Sequence, residues 1–408
     1  MVVSNMVEAT FRWSVSHCQD KEALRALADA LRDGGLPPPA IPGMDPALLA
    51  EGLEGDDAGA IIAYEHGAPV AYLTYALERK SLRLALGPFS FGRLPVRQLR
   101  IFGYNERERI PTAMLDRMAK LLFDMKRWHM ADVLEASPDD RFSKRLIEKH
   151  SSSHRVARKE VGTIQLRLED SFEDYLAKHF RKKVRYNLKR EVRLLEEAAA
   201  GGVRMEIYER EDQAENFIRE AERIAKLTYQ WKMGLETLRV TPRFLRKTAY
   251  LARCGKWRGY MLYIQGAPAA FCYTTVRHGE LSYDVVGYDP QFHKLNPGKV
   301  LLFKMIEELH ETRYVDVLDF GRGLAEYKML FANANRPVLD ISFFPHKVYP
   351  QTLWLLTTAT ENLYQELRPR LRQWMPTVKK WFRKAVALLL PGLPDEIDLM
   401  SELALCMI

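Results

Sequence analysis

Apolar and polar positions alternate along the chain with two spacings, and these predict an order of elements. In the first half the pattern gives a helix at residues 21–32, then a Pro-rich loop at 36–46. Tyr64 to Tyr72 is an apolar run, a tight turn at Gly67 and a second apolar run, as in a β-hairpin. Strands are expected at 82–86 and near 100–102. A helix is expected from Pro111, which suits a first helical turn, to about His129. A strand at 133–136 and a helix at 140–149 follow. Ser151, Ser152 and Ser153 mark a boundary loop, and residues 163–168 alternate like a strand.

In the second half Phe180, Val184, Leu188 and Val192 recur every fourth residue, which predicts one long helix over 171–197. Gly201 and Gly202 end it. A strand at 203–208 and helices at 211–232 and 241–254 come next. Three strands (259–265, 269–277, 280–288) are joined by tight turns. A loop at 289–298 leads to a helix at 299–312, a strand at 314–320, a short helix at 325–331 and a strand at 338–344. Helices, an antiparallel meander and a helical crossover to a further strand make an α+β unit with a mixed sheet. The halves also echo each other. The hairpin of Tyr64 to Tyr72, with its Gly67-Ala68-Pro69, returns 199 residues later as Tyr263 to Phe271, with Gly266-Ala267-Pro268. A strand follows each, at 82–86 and at 280–287, so the echo predicts a duplication.

Composition sharpens this picture. A chain of 408 residues suits one to three domains. With 47% hydrophobic and 28% charged residues it is globular, neither disordered nor collagen-like. The net charge of +8 is local. Residues 176–193 carry +7, residues 368–384 carry another +7, and the remainder is acidic, which argues against a protein that coats nucleic acid. The four cysteines, Cys18, Cys254, Cys272 and Cys406, have no metal-ligand spacing; this argues against zinc and fits a reducing compartment. No apolar run of signal-peptide or membrane-spanning length is seen, so the expected location is the cytoplasm. In the tail, Trp374, Trp381 and Phe382 are mixed with seven basic residues and no acid. This suggests an interfacial helix on anionic lipid, peripheral at the inner membrane face. Pro369 and Pro376 are expected to interrupt that helix, and a helix packed on the domains or a loose basic tail remain open alternatives.

Two segments carry candidate chemistry. Asn296-Pro297-Gly298 opens a helix, where free N–H groups favour phosphate, with Lys294 and Lys299 adding charge. The plain alternative is an ordinary capped helix with Asn296 as N-cap. Asp319-Phe320-Gly321-Arg322-Gly323, followed by Glu326-Tyr327-Lys328, puts many polar groups at one strand end. The alternative there is a solvated turn with local ion pairs.

These segments, with the basic run from His179 to Arg193 and with Tyr288-Asp289-Pro290, resemble the CelD/BcsL-like acetyltransferase family. That family has the GNAT (acyl-CoA N-acyltransferase) fold and is similar to the FemABX transferases, which carry two GNAT units in tandem. The likeness is strongest over residues 165–345. The first half, with Arg100-Ile101-Phe102-Gly103, looks like a degenerate partner unit. The implied division is 1–155, 156–347 and a basic helical tail, 348–408.

The resemblance implies acyl transfer from acetyl-CoA or a longer acyl-CoA, without a metal. The acceptor would be an amine or hydroxyl of a sugar, polysaccharide or lipid precursor, as in cell-envelope or exopolysaccharide synthesis. Pantetheine would lie between two splayed strands, and the pyrophosphate on the loop and helix after the first. This implies coenzyme contacts from Lys294, Asn296, Gly298, Lys299 and Val300; Gly298 matches the family's loop, while Pro297 departs from it. Tyr327 falls where many such enzymes hold the acid that protonates the departing thiolate. Asp319 and Glu326 are the base candidates, with Asp284 the weakest. An N–H on the strand 280–287 would stabilise the oxyanion. Lys182 and Arg185 from the basic helix, with Arg322 and Lys328 from the turn, would contact the acceptor. Two rivals stand beside this reading. One is a FemABX-like transferase using aminoacyl-tRNA; the other is a non-catalytic GNAT-like module in a membrane-associated polysaccharide assembly.

Overall fold

The two hairpin turns of the echo share one conformation in the computed structural model of the chain. His66 and Gly67 have φ of 50° and 81°, Gln265 and Gly266 of 51° and 80°. Two successive left-handed residues make the type I′ turn, whose twist suits paired strands, and Gly takes the second position without strain. The ladders beside these turns slip at matching places, between Ala63 and Tyr64 and between Leu262 and Tyr263. The structure describes residues 13–32, 42–54, 57–86, 89–107, 109–125, 128–228, 231, 238–277, 279–323 and 325–389.

Around these hairpins one order of elements runs twice. The first pass is β1 (Trp13–Cys18), α1 (Lys21–Arg32), α2 (Pro46–Ala50), β2 (Ala58–Glu65), β3 (Ala68–Leu86), β4 (Phe89–Glu106), α3 (Thr112–Phe123), β5 (Met130–Ala136), α4 (Arg141–His150) and β6 (His154–Arg167). Two linking helices follow, α5 (Phe172–His179) and α6 (Lys182–Ala198). The second pass is β7 (Val203–Tyr208), α7 (Ala214–Leu227), α8 (Pro242–Arg253), β8 (Trp257–Ile264), β9 (Ala267–Arg277), β10 (Glu280–Tyr288), α9 (Pro297–Thr312), β11 (Val317–Asp319), α10 (Glu326–Phe331) and β12 (Ala334–Pro345). Helix α11 (Val348–Leu389) comes last.

The strands form a 12-stranded sheet in the order β1-β2-β3-β4-β5-β12-β6-β11-β10-β9-β8-β7. Its parallel pairs are β4–β5 and β10–β11. The passes exchange their last strands. β6 pairs with β11 of the second pass and β12 with β5 of the first, and β6 and β12 pair with each other along the whole of β12. The exchange welds two mixed sheets into one. Alternate residues of β2 enter different cores: Ile61 and Ala63 pack under α3 and α4, Ala60 and Ile62 under α1 and α2. In the second half Tyr260 and Leu262 face α5, α6 and α9, while Met261 and Tyr263 face α7 and α8.

Several expectations change. The long helix expected over 171–197 is two helices, broken at Phe180. That residue is extended (φ −120°, ψ 136°) and 7% exposed, with its ring against Tyr175 and Phe331. Continuing the helix would have carried this ring out of the core. The strand expected at 82–86 is the far end of β3, and the counterpart of β10 is β4, whose length takes in residues 100–102. The strand expected over 314–320 pairs only at 317–319. Of the Pro-rich loop, Pro42–Met44 is a 3-10 turn and Pro46 opens α2 behind the N-cap Asp45; residues 36–41 lie outside the described chain. The helix expected over 211–232 opens as a 3-10 turn at Glu211–Gln213 and ends at Leu227, where Thr228 is extended (ψ 154°); of its remaining residues only Trp231 is described. The tail is corrected as well, because α11 runs as one helix through Pro369 and Pro376. At 100° per residue these two prolines share a face opposite the Leu367, Leu371 and Trp374 positions of the sequence.

Candidate active site

β10 and β11 pair in parallel only at Leu281–Leu318 and Ser282–Asp319. Beyond that point β11 still follows β6. The Phe320 N–H donates to the Ile164 carbonyl (2.8 Å), and the Ile164 N–H to that of Gly321 (3.0 Å). The edge of β10 from Tyr283 onward is thereby left open, and the two strands form a V. On its other side the β9–β10 ladder slips between Tyr283 and Val285, so Asp284 is the extra residue of a bulge. A bulge leaves its extra residue out of the ladder and re-aims its side chain. The first half has the same device, with a parallel pairing that ends at Ile101–Val133 and a slip that leaves out Phe102.

A cavity of about 500 Å3 lies at the V. Glu280, Ser282 and Asp284 line one wall from alternate positions of β10; Asp319, Phe320, Gly321 and Arg322 form another, and Lys328 and Arg336 complete it. Asp284 accepts from the Thr275 hydroxyl (2.6 Å) and the Ser282 hydroxyl (2.8 Å), and pairs with Arg277 at 2.8 Å. Burial nevertheless raises its carboxyl above the usual range, against the pull of Arg277. Burial also raises Glu280, which accepts from the Gln165 amide at 2.9 Å and lies 3.6 Å from Arg336.

The turn after β11 is braced throughout. Asp319 accepts from the Gly321 N–H (2.7 Å), the Gln165 amide (3.2 Å) and Arg336 (3.0 Å). Gly321 has φ of 70°, the left-handed region that glycine enters freely. Arg322 grips the Asp340 carboxylate with both terminal nitrogens and meets Glu135 of β5 at 3.3 Å. Lys328 donates to the carbonyls of Phe320 (2.6 Å) and Arg322 (2.8 Å), and its burial lowers its proton affinity.

Tyr327 stands apart from this lattice. Its ring lies 6.2 Å from that of Tyr283, which in turn lies 5.5 Å from Phe320. Its hydroxyl makes no hydrogen bond among the described residues, and burial pushes the phenol above its ordinary value. Glu326, one residue earlier, is exposed.

The residues expected at the coenzyme lie at the start of α9. Pro297 takes the first helical position. Asn296 is left-handed (φ 49°) and makes no side-chain cap; its carbonyl accepts the N–H groups of both Lys299 and Val300 at 3.0 Å. Lys299 pairs with Glu191 of α6 at 2.8 Å. A Cβ on Gly298 would meet only Tyr288, at 3.6 Å, so this helix start is open. α6 packs beside the 3-10 turn Pro290–Leu295, which carries Lys294. Arg181, Lys182 and Lys183 are exposed at its start, Arg185 is half-buried, and none of the four has a partner among the described residues. The structure thus gathers Asp319, Arg322 and Lys328 at one cavity, sets Tyr327 beside Tyr283 of its lining, and puts Lys182 and Arg185 on the coenzyme-loop side.

Glu280, Arg277, Arg336 and Glu135 were missed by the sequence reading. Glu280, Ser282 and Asp284 had a signal, since they repeat at every second position of an otherwise apolar strand. A second cavity of about 530 Å3 continues into the V of the first half, between Phe102 to Asn105 and Val133 to Ser137. It shares Glu135, Arg277 and Asp284 with the first.

Residues 182–329 match the family described as an acetyltransferase (GNAT) domain. No curated protein matches the sequence. Among solved structures, the C-terminal domain (DUF2156) of a putative lysylphosphatidylglycerol synthetase from Agrobacterium fabrum is similar over 81% of this chain and 95% of its own, with a TM-score of 0.50 and 12% identity. L-PGS from Bacillus licheniformis is similar over 84% of this chain and 97% of its own, with a TM-score of 0.50 and 16% identity. At such identities the likeness is one of fold. The second pass carries the match to a GNAT domain and the first repeats its topology, so the chain has the fold of two GNAT-like units in tandem.

Proposed function

We propose that this GNAT-type acyltransferase moves an acyl group from a coenzyme A thioester to an amine or hydroxyl of a sugar, polysaccharide or lipid precursor. In this reading residues 156–347 do the chemistry and residues 1–155 supply the far wall of the cavity. One observation carries it: an open strand edge and a bulge line a polar cavity, and behind the lining residue Tyr283 stands Tyr327, whose hydroxyl has no partner among the described residues. The open edge of β10 suits an extended pantetheine arm, which can bond to its backbone as a strand would. The open start at Gly298 and the cations of α6 suit the phosphates.

The acceptor nitrogen attacks the thioester carbonyl carbon, forming the C–N bond, and the C–S bond then breaks. Charge gathers on the carbonyl oxygen, to which the Asp284 N–H, left out of the ladder by the bulge, donates in this reading. The proton lost by the amine goes to Asp284 or Glu280, whose raised proton affinity moves them toward the range a base needs near neutrality. The departing thiolate takes its proton from Tyr327. Asp319 holds the turn, and Glu326 stays at the surface.

The α6 cations favour a second reading, in which the donor is an aminoacyl-tRNA whose phosphates they meet. Calorimetric titration separates the two. Acetyl-CoA is expected to bind, and a Gly298→Trp variant, which fills the open helix start, to bind it far less. No heat with acetyl-CoA, together with tRNA binding that is lost on Lys182→Glu and Lys183→Glu, would replace the first reading by the second.

A further inference from the structure

Helix α11 is 42 residues long, about 63 Å at 1.5 Å per residue, and among the described residues its ties to the sheet are at its start. Leu353 and Trp354 pack with Val96, Met130 and Phe344. Arg155 lies 4.3 Å over the Trp354 ring, and Lys159 pairs with Glu361 at 2.9 Å. The apolar stripe to which Leu353 belongs does not stop at these contacts. Leu353, Leu356, Leu363, Leu367, Leu371, Trp374, Val378, Trp381 and Ala385 continue it at steps of three, four or seven residues. Where it leaves the sheet it opens to solvent: Leu353 is 0% exposed and Leu363 is 48%.

The charges take the other side. At 100° per residue Arg372, Lys379, Lys380, Arg383 and Lys384 fall on the face opposite Leu371, Trp374, Val378 and Trp381, and residues 368–384 contain no acid. A partner for this helix must be apolar at one level and anionic just above it. A protein groove that took the stripe would leave the cations unmatched, and a nucleic acid that took the cations would leave the stripe in water. A bilayer with anionic headgroups offers both levels. Among the described residues no helix is long and apolar enough to cross a membrane, so the fit is to its surface.

We propose that the distal part of α11, from Leu363 onward, lies in the surface of an anionic phospholipid bilayer and docks the protein there. Trp and Leu sit at the acyl boundary and Lys and Arg at the phosphates. The docking does not depend on the acyl-transfer reading. Helix α11 climbs the sheet in the direction of β6, as its contacts with Arg155 and then Lys159 show, and β6 leads to Gln165 beside the cavity.

The test uses the full chain and co-sedimentation with phosphatidylcholine vesicles, with and without phosphatidylglycerol. Binding is expected only with phosphatidylglycerol and should weaken with salt. The variant Lys379→Gln, Lys380→Gln, Arg383→Gln should bind about 100-fold more weakly, at about 5-fold for each cation lost. The variant Trp374→Ser, Trp381→Ser should also lose vesicle binding while keeping its charge, which simple ionic adhesion would not. Equal binding to neutral vesicles, binding untouched by either variant, or no binding to any vesicle overturns the proposal. So does a vesicle-free dimer that the Trp variant dissolves, since the stripe would then belong to a second copy of the chain.

Discussion

Replacing Tyr327 by Phe isolates one oxygen. The hydroxyl has no partner among the described residues, so its removal strands no buried donor or acceptor, and the ring keeps its place beside Tyr283. The fold should therefore lose no more than about 0.5 kcal/mol, a shift of about half a degree in Tm for a chain of this size. A general acid contributes about 10²- to 10⁴-fold to a rate. Because a thiolate leaves readily without full protonation, its ordinary pKa being about 8.5, the lower end applies. We expect kcat to fall about 100-fold, or about 2.7 kcal/mol of transition-state stabilisation. KM for acetyl-CoA should stay within about twofold, since coenzyme and acceptor are held by other residues. The assay is thiol release from acetyl-CoA with a panel of amine acceptors, paired with calorimetry for the coenzyme. The pH profile adds a second readout. Burial lifts the phenol above its ordinary value of 10, so the protonated form persists beyond that pH and no alkaline loss of activity below it should trace to Tyr327. Turnover within about threefold of the parent would refute the role. A rate loss that came with a matching fall in Tm would make Tyr327 a packing residue instead.

Two further outcomes follow from the buried titratable groups. Asp284→Asn should lower kcat/KM by about 10²-fold or more and abolish the acidic limb of its pH profile, a limb displaced above the ordinary carboxylate range because burial raises this group; a limb that survives there but vanishes in Glu280→Gln moves the role to Glu280. His154 stacks on Trp128 at 5.4 Å and meets Phe123 edge-on at 5.2 Å, and burial lowers its pKa to about 4. Its contribution to stability is therefore complete above about pH 6.5 and is lost as pH falls toward 4. Discounted for partial exposure, about 1–2 kcal/mol should disappear over that window in urea titrations. His154→Phe should flatten the loss, and an equally steep loss in the variant would assign it to other groups.

The duplication was legible because its marks are local. A type I′ turn needs particular residues, and His66-Gly67 and Gln265-Gly266 supply them in matching surroundings. The break at Phe180 was not legible, because the fourfold apolar repeat passes straight through it and the break goes with tertiary packing of its ring against Tyr175 and Phe331. The exchange of β6 and β12 was equally hidden. Either strand can pair with β5 or with β11 without a change in its own pattern, so the choice rests on the whole sheet. At the site, Asp319, Arg322, Lys328 and Tyr327 stood out as a polar cluster at a strand end. Asp284 ranked only as the weakest base candidate, since a strand residue's face is fixed by register, and here a bulge resets the register. Arg336 and Glu135 carry no signal at all, because they lie in other elements and reach the cavity only through tertiary pairing.

That pairing gives the strand exchange a consequence for the site. β6 is the end of the first pass, yet its Gln165 donates to both Glu280 and Asp319 in the second. β12 supplies Arg336 to the same two carboxylates and Asp340 to Arg322. β12 in turn pairs with β5, whose Glu135 N–H donates to Asp340 (3.0 Å) and whose Glu135 carboxylate meets Arg322. Moving one half against the other would pull at once on the ion pairs that shape the turn carrying Lys328 and Tyr327. Each is individually modest, but inside a shared, partly buried network they are expected to act together rather than additively. The first half need bind no acyl donor of its own to matter. By holding Asp340 and Arg322 in place, it braces the turn that leads into the helix of Tyr327.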